Sequence, residues 1–333
     1  MTPENLLAFP PDADRAGFAD VRMHRELAAS LTHLSESCAE AGHPAAAPLA
    51  EAARLLKTKR VGPEAFARYY IIGTALLDGH EAGLEAEAEA LLADVQTGRA
   101  PFHVSPRGGA GALDDLMNRQ MGEEAANFAP VPPETATAFA TRLSAGLDLL
   151  RHGLPALHAE ITTIVHHVVC ATAPEGATVQ FDGASHYQFW GLLLLNPRFH
   201  TTRLAIAEVL AHESAHSLLF GLTIEEPLVL NPGDERFPSP LRADPRPMDG
   251  IYHATFVSAR MAWAMEGLAA SGLLSAEEKA EALKAAEADR ANFASGLSVV
   301  DAHGILSPTG QRIIDNARHW IARQGMDAAR PLS

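Results

Sequence analysis

Only one stretch of this 333-residue chain, ATVQFDGASHYQFWGLLLLNP at 177–197, reads as extended structure; almost everything else spaces its apolar residues as a helix does. The stretch alternates in part, is rich in Val, Phe, Tyr and Trp, and carries Asp182-Gly183 as a turn signal. That pattern predicts two or three antiparallel strands. A chain with so little strand must bury most of its core between helices. The expected fold is mainly α, in the α+β sense: a helical bundle with a small antiparallel sheet next to a metal-binding helix.

Gly and Pro punctuate the helices. Spacing predicts helices over 14–42, 51–60, 63–77 and 80–98, with breakers between them. The segment TGRAPFHVSPRGGAGA at 97–112, dense in Gly and Pro, reads as a linker or loop. It divides a helical N-terminal region, 1–112, from a second region, 113–333, packed as one unit. Pro132-Pro133 restarts the helical pattern, and ETATAFATRLSAGLDLLRHGLPALHAEITTIVHHVV predicts one or two long helices. Further helices are expected over 202–220, 250–270, 276–295 and 308–324. Ser275 and Glu278 have capping-box spacing, and Ser307-Pro308 is a cap followed by Pro at the first helical position.

Composition excludes several classes. The formal net charge of -15 argues against a nucleic-acid or anionic-membrane surface. No run of 18 apolar residues exists, and MTPENLLAFPPDAD lacks the basic and apolar regions of a signal peptide. Cys38 and Cys170 are the only cysteines, which gives no disulfide framework and no cysteine metal site. A reducing cytoplasm is the expected location.

The chemistry concentrates in AHESAHSLLF, 211–220, where His212, Glu213 and His216 stand in the order H-E-x-x-H. Ligands at i and i+4 lie one above the other on a helix face, and the rest of this helix is apolar. Stacked imidazoles in apolar surroundings, with a carboxylate between them, point to a metal. His166-His167 and His80-Glu81 lack that spacing and read as structural or exposed.

A catalytic metal needs a third protein ligand. Leu222 stands where the extended metzincin pattern requires His. His253 and Glu266 on the next helix compete for the role, and thirteen residues at about 100° each put them about 140° apart, so both cannot face one ion. Arg260, seven residues beyond His253, lies about 20° from it around the helix and suits an anionic co-ligand. With Glu266 instead, the set describes a zinc metallopeptidase in which Glu213 is the general base. Ser185, His186 and Gly191, in the strand region, are candidates for contacts with an extended substrate, against a plain core strand.

The segment SPLRADPRPMDGIYHATFVSARMAW, 239–263, resembles a pattern of the H-E-x-x-H peptide-modification family. That pattern is S-P-W-R-x-D-P-R-P followed by a Gly and a His opening a helix. Ser239, Pro240, Arg242, Asp244, Pro245, Arg246, Pro247, Gly250 and His253 match it, while Leu241 replaces the Trp. ILSPTGQRII resembles the family's closing helix, so the likeness spans about 160–325. It implies an Fe(II)- and 2-oxoglutarate-dependent hydroxylase acting at the β-carbon of an amino-acid side chain, in a ribosomally made peptide or an amino-acid substrate. On that resemblance His212, His216 and His253 are the iron ligands, and Glu213 lies at the site without being a hydrolytic base. Arg260, Arg246 or Arg242 would anchor 2-oxoglutarate.

Overall fold

The computed structural model describes residues 3–177, 180–239 and 244–328. The protein is mainly helical with a small four-stranded sheet. It divides into two compact units, Ala19–Ser144 with Thr162–Thr201, and Met1–Phe18 with Ala145–Ile161 and Thr202–Ser333.

The first unit holds most of α2 (Ala13–Glu40) together with α3 (Ala46–Leu56), α4 (Pro63–Leu77) and α5 (Leu84–Thr97), all at expected places except that α3 begins and ends several residues earlier than its spacing predicts; the short α1 (Pro3–Leu6) belongs to the second unit. The Gly/Pro-rich segment is more than a linker. It contains β1 (His103–Pro106), and α6 (Ala112–Met121) begins where the segment ends. The long helical pattern after Pro133 splits at Leu154-Pro155 into α7 (Pro133–Gly153) and α8 (Pro155–Ile164), because Pro at a first helical position starts a helix afresh. The end of that pattern, VHHVV, is not helix. It forms β2 (His167–Cys170), whose four residues are all buried, so no alternation exposed it as a strand.

Strands β3 (Gly183–Ser185) and β4 (Leu192–Leu195) come from the stretch expected to be extended. The order is β1-β2-β4-β3, with β1–β2 and β2–β4 parallel and only β3–β4 antiparallel. The sheet is therefore mixed rather than antiparallel, since the neighbour of LLLL is HVVC, reached from β1 through α6, α7 and α8. Asp182-Gly183 is not a hairpin turn, for Gly183 is already in β3. Gly191, just before β4, has φ +92, and a Cβ there would meet the Ile164 carbonyl oxygen at 3.3 Å. It is thus a position where another backbone approaches closely. Leu116, Met117, Phe128, Val169, Phe189, Leu192 and Leu194 form this unit's core.

The second unit is built on α9 (Arg203–Leu222), α10 (Met248–Ala270), α11 (Ala276–His303) and α12 (Pro308–Ala328). Thr202 caps α9 by accepting from the Ala205 amide at 3.1 Å. The capping box at α11 is formed in both directions: Glu278 N donates to Ser275 Oγ at 3.1 Å, and Ser275 N to Glu278 Oε2 at 2.9 Å. Gly146 of α7 lies so close to Ile206 of α9 that no side chain fits between the helices. Phe9 packs on Phe256 and Trp320, with ring centroids 6.0 and 5.3 Å away.

Candidate metal centre

Helix α9 is buried along most of its length, and α10 packs on it. His216 of α9 meets His253 of α10, and His212 meets Met261. Numbers therefore fall along one helix as they rise along the other: the pair is antiparallel. His212 and His216 share a face, their Nε2 atoms 3.2 Å apart. Nδ1 of His216 and Nδ1 of His253 are 3.0 Å apart, the two rings lying nearly parallel at 14°. Two nitrogens on one ion with bonds of about 2.1 Å stand about 3.0–3.4 Å apart, so the Nε2–Nε2 gap of His212 and His216 has the spacing of metal donors.

The protonation states suit a metal as well. Burial holds His216 well below the ordinary imidazole range, with His212 and His253 adding to the effect, and burial also lowers His253. Neutral rings offer lone pairs. His212 faces the Met261 sulfur through Nδ1 at 3.0 Å, so a proton on Nδ1 puts the ring's lone pair on Nε2, the nitrogen that faces His216. Nothing in the sequence pattern marked Met261.

Glu213 is 3% exposed, with Oε1 3.8 Å from His212 Nε2. His212, Glu213 and His216 offer three ligand atoms all within 4.8 Å of one another. His253 reaches His216 at the ring nitrogen opposite the one that faces His212, and one ion cannot take both nitrogens of one ring. His212, His216 and the adjoining Glu213 carboxylate thus form a partly buried donor set that fits a divalent transition metal, with the His253 imidazole of α10 beside it.

The other residues singled out from the sequence are dispersed. Glu266 is paired with Arg290, which lies over Trp320 at 5.7 Å. It is outside the histidine cluster. Arg260 is 1% exposed and engaged through both terminal nitrogens: Nη1 donates to the Phe9 carbonyl at 2.8 Å, and Nη2 pairs with Glu160, while Nε has no partner among the described residues. Glu160 also accepts from Arg15 Nη2 at 2.7 Å and from the Asp12 amide at 3.0 Å. Burial lowers Arg260 to about 10 despite Glu160 beside it. The guanidinium expected to hold a dicarboxylate is therefore occupied by a protein carboxylate. Arg246 is half-buried, its Nε 2.8 Å from Asp244 Oδ2, and its backbone pairs with Phe237 in both directions. Arg242 lies outside the described residues. Ser185 is in β3, His186 Nδ1 accepts from the Gln188 amide at 3.3 Å, and Gly191 leads into β4. Among the described residues, no helix is long and apolar enough to cross a membrane.

No family model matches the chain, and no curated protein matches it.

Proposed function

We propose that the protein is an Fe(II)- and 2-oxoglutarate-dependent hydroxylase acting at the β-carbon of an amino-acid side chain, within a peptide. The observation that carries the reading is the pairing of His212 and His216 on one helix face, their Nε2 atoms 3.2 Å apart, with His253 of the antiparallel α10 beside His216. The motif segment 239–263, which supplies His253, supports it.

In this reading His212 and His216 would hold the iron through Nε2, and His253, which lies beside Nδ1 of His216, would turn its ring toward the ion to be the third nitrogen. When bound, iron with 2-oxoglutarate and O2 supplies the oxidant that turns C–H into C–OH, releasing succinate and CO2. The chain's own residues do the rest. Burial keeps His216 and His253 neutral, so few protons compete for their lone pairs. Met261 fixes the ring proton of His212 on Nδ1. The apolar flanks of α9 and α10 keep water from the reacting centre. With Arg260 taken by Glu160, Arg246 is the described residue best able to meet a dicarboxylate, by exchanging Asp244 for it.

The test uses anaerobic protein loaded with Fe(II) and 2-oxoglutarate. Admission of O2 is expected to yield succinate, and a peptide substrate to gain the mass of one oxygen. Cleavage that vanishes in Glu213→Gln would instead make the protein a zinc peptidase. The His253→Ala variant is expected to lose iron. Retention of iron there, with loss in Glu213→Gln, would assign the third position to Glu213.

A further inference from the structure

A second group of unsatisfied polar side chains lies in the unit formed by Ala19–Ser144 and Thr162–Thr201, in a cleft of about 560 Å³. That volume is ordinary for a small-molecule site. Strand alternation makes its floor. His103 and Ser105 of β1 and His167 and Val169 of β2, in register as His103↔His167 and Ser105↔Val169, all line it. Glu64, in the first turn of α4, and His166 complete the polar lining considered below.

Most of the groups left without a partner in this cleft are acceptors. His103 Nδ1 is 2.9 Å from the Pro101 carbonyl and donates to it, leaving Nε2 with a lone pair. The Thr163 carbonyl likewise takes the ring proton of His166, whose Nε2 has no partner among the described residues. His167 is 4% exposed, with Nε2 2.8 Å from Ser105 Oγ, while its Nδ1 has no partner among the described residues. Burial lowers His166 to about 4 and His167 to about 3, so both are uncharged near neutrality. Glu64 forms no ion pair among the described residues; burial raises it, and nearby Asp94 raises it further.

The cations around the cleft, by contrast, are all committed. Arg99 is held by Asp20 at 2.5 Å, Arg68 by Asp94 at 2.7 Å and by Glu87, and Arg107 by Asp114 and Asn118. The positive ends of the two helices that open here are complemented as well. Glu64 accepts from its own amide at the start of α4, and Asp114 sits in the first turn of α6. What the cleft lacks is a positive group with N–H donors. A metal ion does not fit, because among the described residues the only metal-ligand cluster is the one on α9. The acceptors must be spanned by something larger.

We propose that this cleft binds a small organic cation carrying N–H donors, an alkylammonium or guanidinium compound, with Glu64 as its counter-ion and His167 and Ser105 as hydrogen-bonding partners. The site is separate from the metal ligands in residue content, and the proposal stands whether or not the protein is a hydroxylase.

Calorimetric titration of the full-length protein tests it, with agmatine and n-butylamine as probes and with tetramethylammonium and butyrate as controls. The two amines are expected to bind with submillimolar dissociation constants and the controls not to bind. Glu64→Gln is expected to weaken agmatine at least tenfold, Ser105→Ala a few-fold, and His212→Ala not at all. Failure of both amines, equal binding of tetramethylammonium or butyrate, or unchanged affinity in Glu64→Gln would overturn the proposal. Loss of binding in a folded His212→Ala protein would also overturn it, by placing the amine at the metal centre. If Glu64→Gln does not fold, the imidazole NMR resonances of wild-type His103 and His167 decide. They are expected to shift with agmatine, and unmoved resonances refute the site.

Discussion

Arg260 and Glu160, one hundred residues apart in sequence, form an ion pair in which both side chains are at most 1% exposed. Arg15 holds the other oxygen of the same carboxylate, so two guanidiniums share one buried negative charge. Removing one partner of such a network strands the others without solvent. Glu160→Gln is expected to destabilise the fold by about 3–5 kcal/mol, read as a lower urea midpoint. Arg260→Met, which keeps bulk but drops the charge, is expected to cost less, because Arg15 still answers Glu160. A fall in 2-oxoglutarate affinity in Arg260→Lys, with stability untouched, would give Arg260 back to the co-substrate.

Met261 offers a sharper test of the metal centre. Met261→Leu conserves volume and removes the sulfur that faces His212 Nδ1. Stability is expected to change by less than about 1.5 kcal/mol. Metal affinity, followed by competition with a chelator, is expected to fall by about tenfold, the range seen when a partner that orients a ligand is lost.

Asp289 of α11 is 4% exposed, with Oδ2 unpartnered among the described residues. Burial, with Glu208 of α9 adding to it, raises this carboxyl from 3.8 to about 8. The unfolded chain therefore releases the proton first, and the folded chain holds it until about pH 8. The stabilisation is complete below pH 3.8 and is lost as pH rises to about 8, at up to about 1.4 kcal/mol per pH unit for one proton. Asp289→Asn, which cannot ionise, is expected to flatten that decline. Thermal midpoints at pH 5 and pH 8, compared with wild type, measure it.

Glu278 has the opposite sign. Hydrogen bonds from Arg203, at 2.7 and 2.8 Å, and then from the Ser275 amide hold its carboxyl down near 2. Its contribution is present above 4.5 and is lost as pH falls toward 2. Glu278→Gln is expected to remove the acid-side loss that Arg203 imposes. Ser275→Ala is expected to cost about 1 kcal/mol near neutrality through the lost cap, with only a small change in the acid limb, because Ser275 Oγ is the last of the groups that lower Glu278. Acid titrations of ellipticity for the two variants separate these effects.

The helices were legible because their breakers were explicit, as at Gly62-Pro63, Leu154-Pro155 and Ser275. The sheet was half legible. Leu192–Leu195 stood out as an apolar run, but His167–Cys170 followed a helix without a breaker, and His103–Pro106 was hidden among glycines. Both became strands through pairing with each other, a non-local condition that no local window contains. At the candidate metal centre, the i, i+4 spacing set His212 and His216 on one helix face, and α10 brought His253 against His216. The same geometry put Arg260 near the face of His253 but was blind to Glu160, whose claim on that guanidinium comes from a different helix. Met261 was invisible for a similar reason. Its contact with His212 depends on the antiparallel register of α9 and α10, which spacing along one helix does not reveal.

The unit that carries the metal centre is discontinuous, drawn from Met1–Phe18, Ala145–Ile161 and Thr202–Ser333. Phe9, near one end of the chain, has Trp320, near the other, as a ring partner. During synthesis this unit stays incomplete until its last helix leaves the ribosome, whereas the other unit has all its residues by Thr201. The two should therefore mature in a set order, the cleft-bearing unit first. A clone of Thr202–Ser333 alone would contain every histidine of the centre and yet lack Glu160, leaving a guanidinium buried without its counter-charge. The candidate metal ligands can be read from a short segment, but the scaffold that holds them has to be inherited whole.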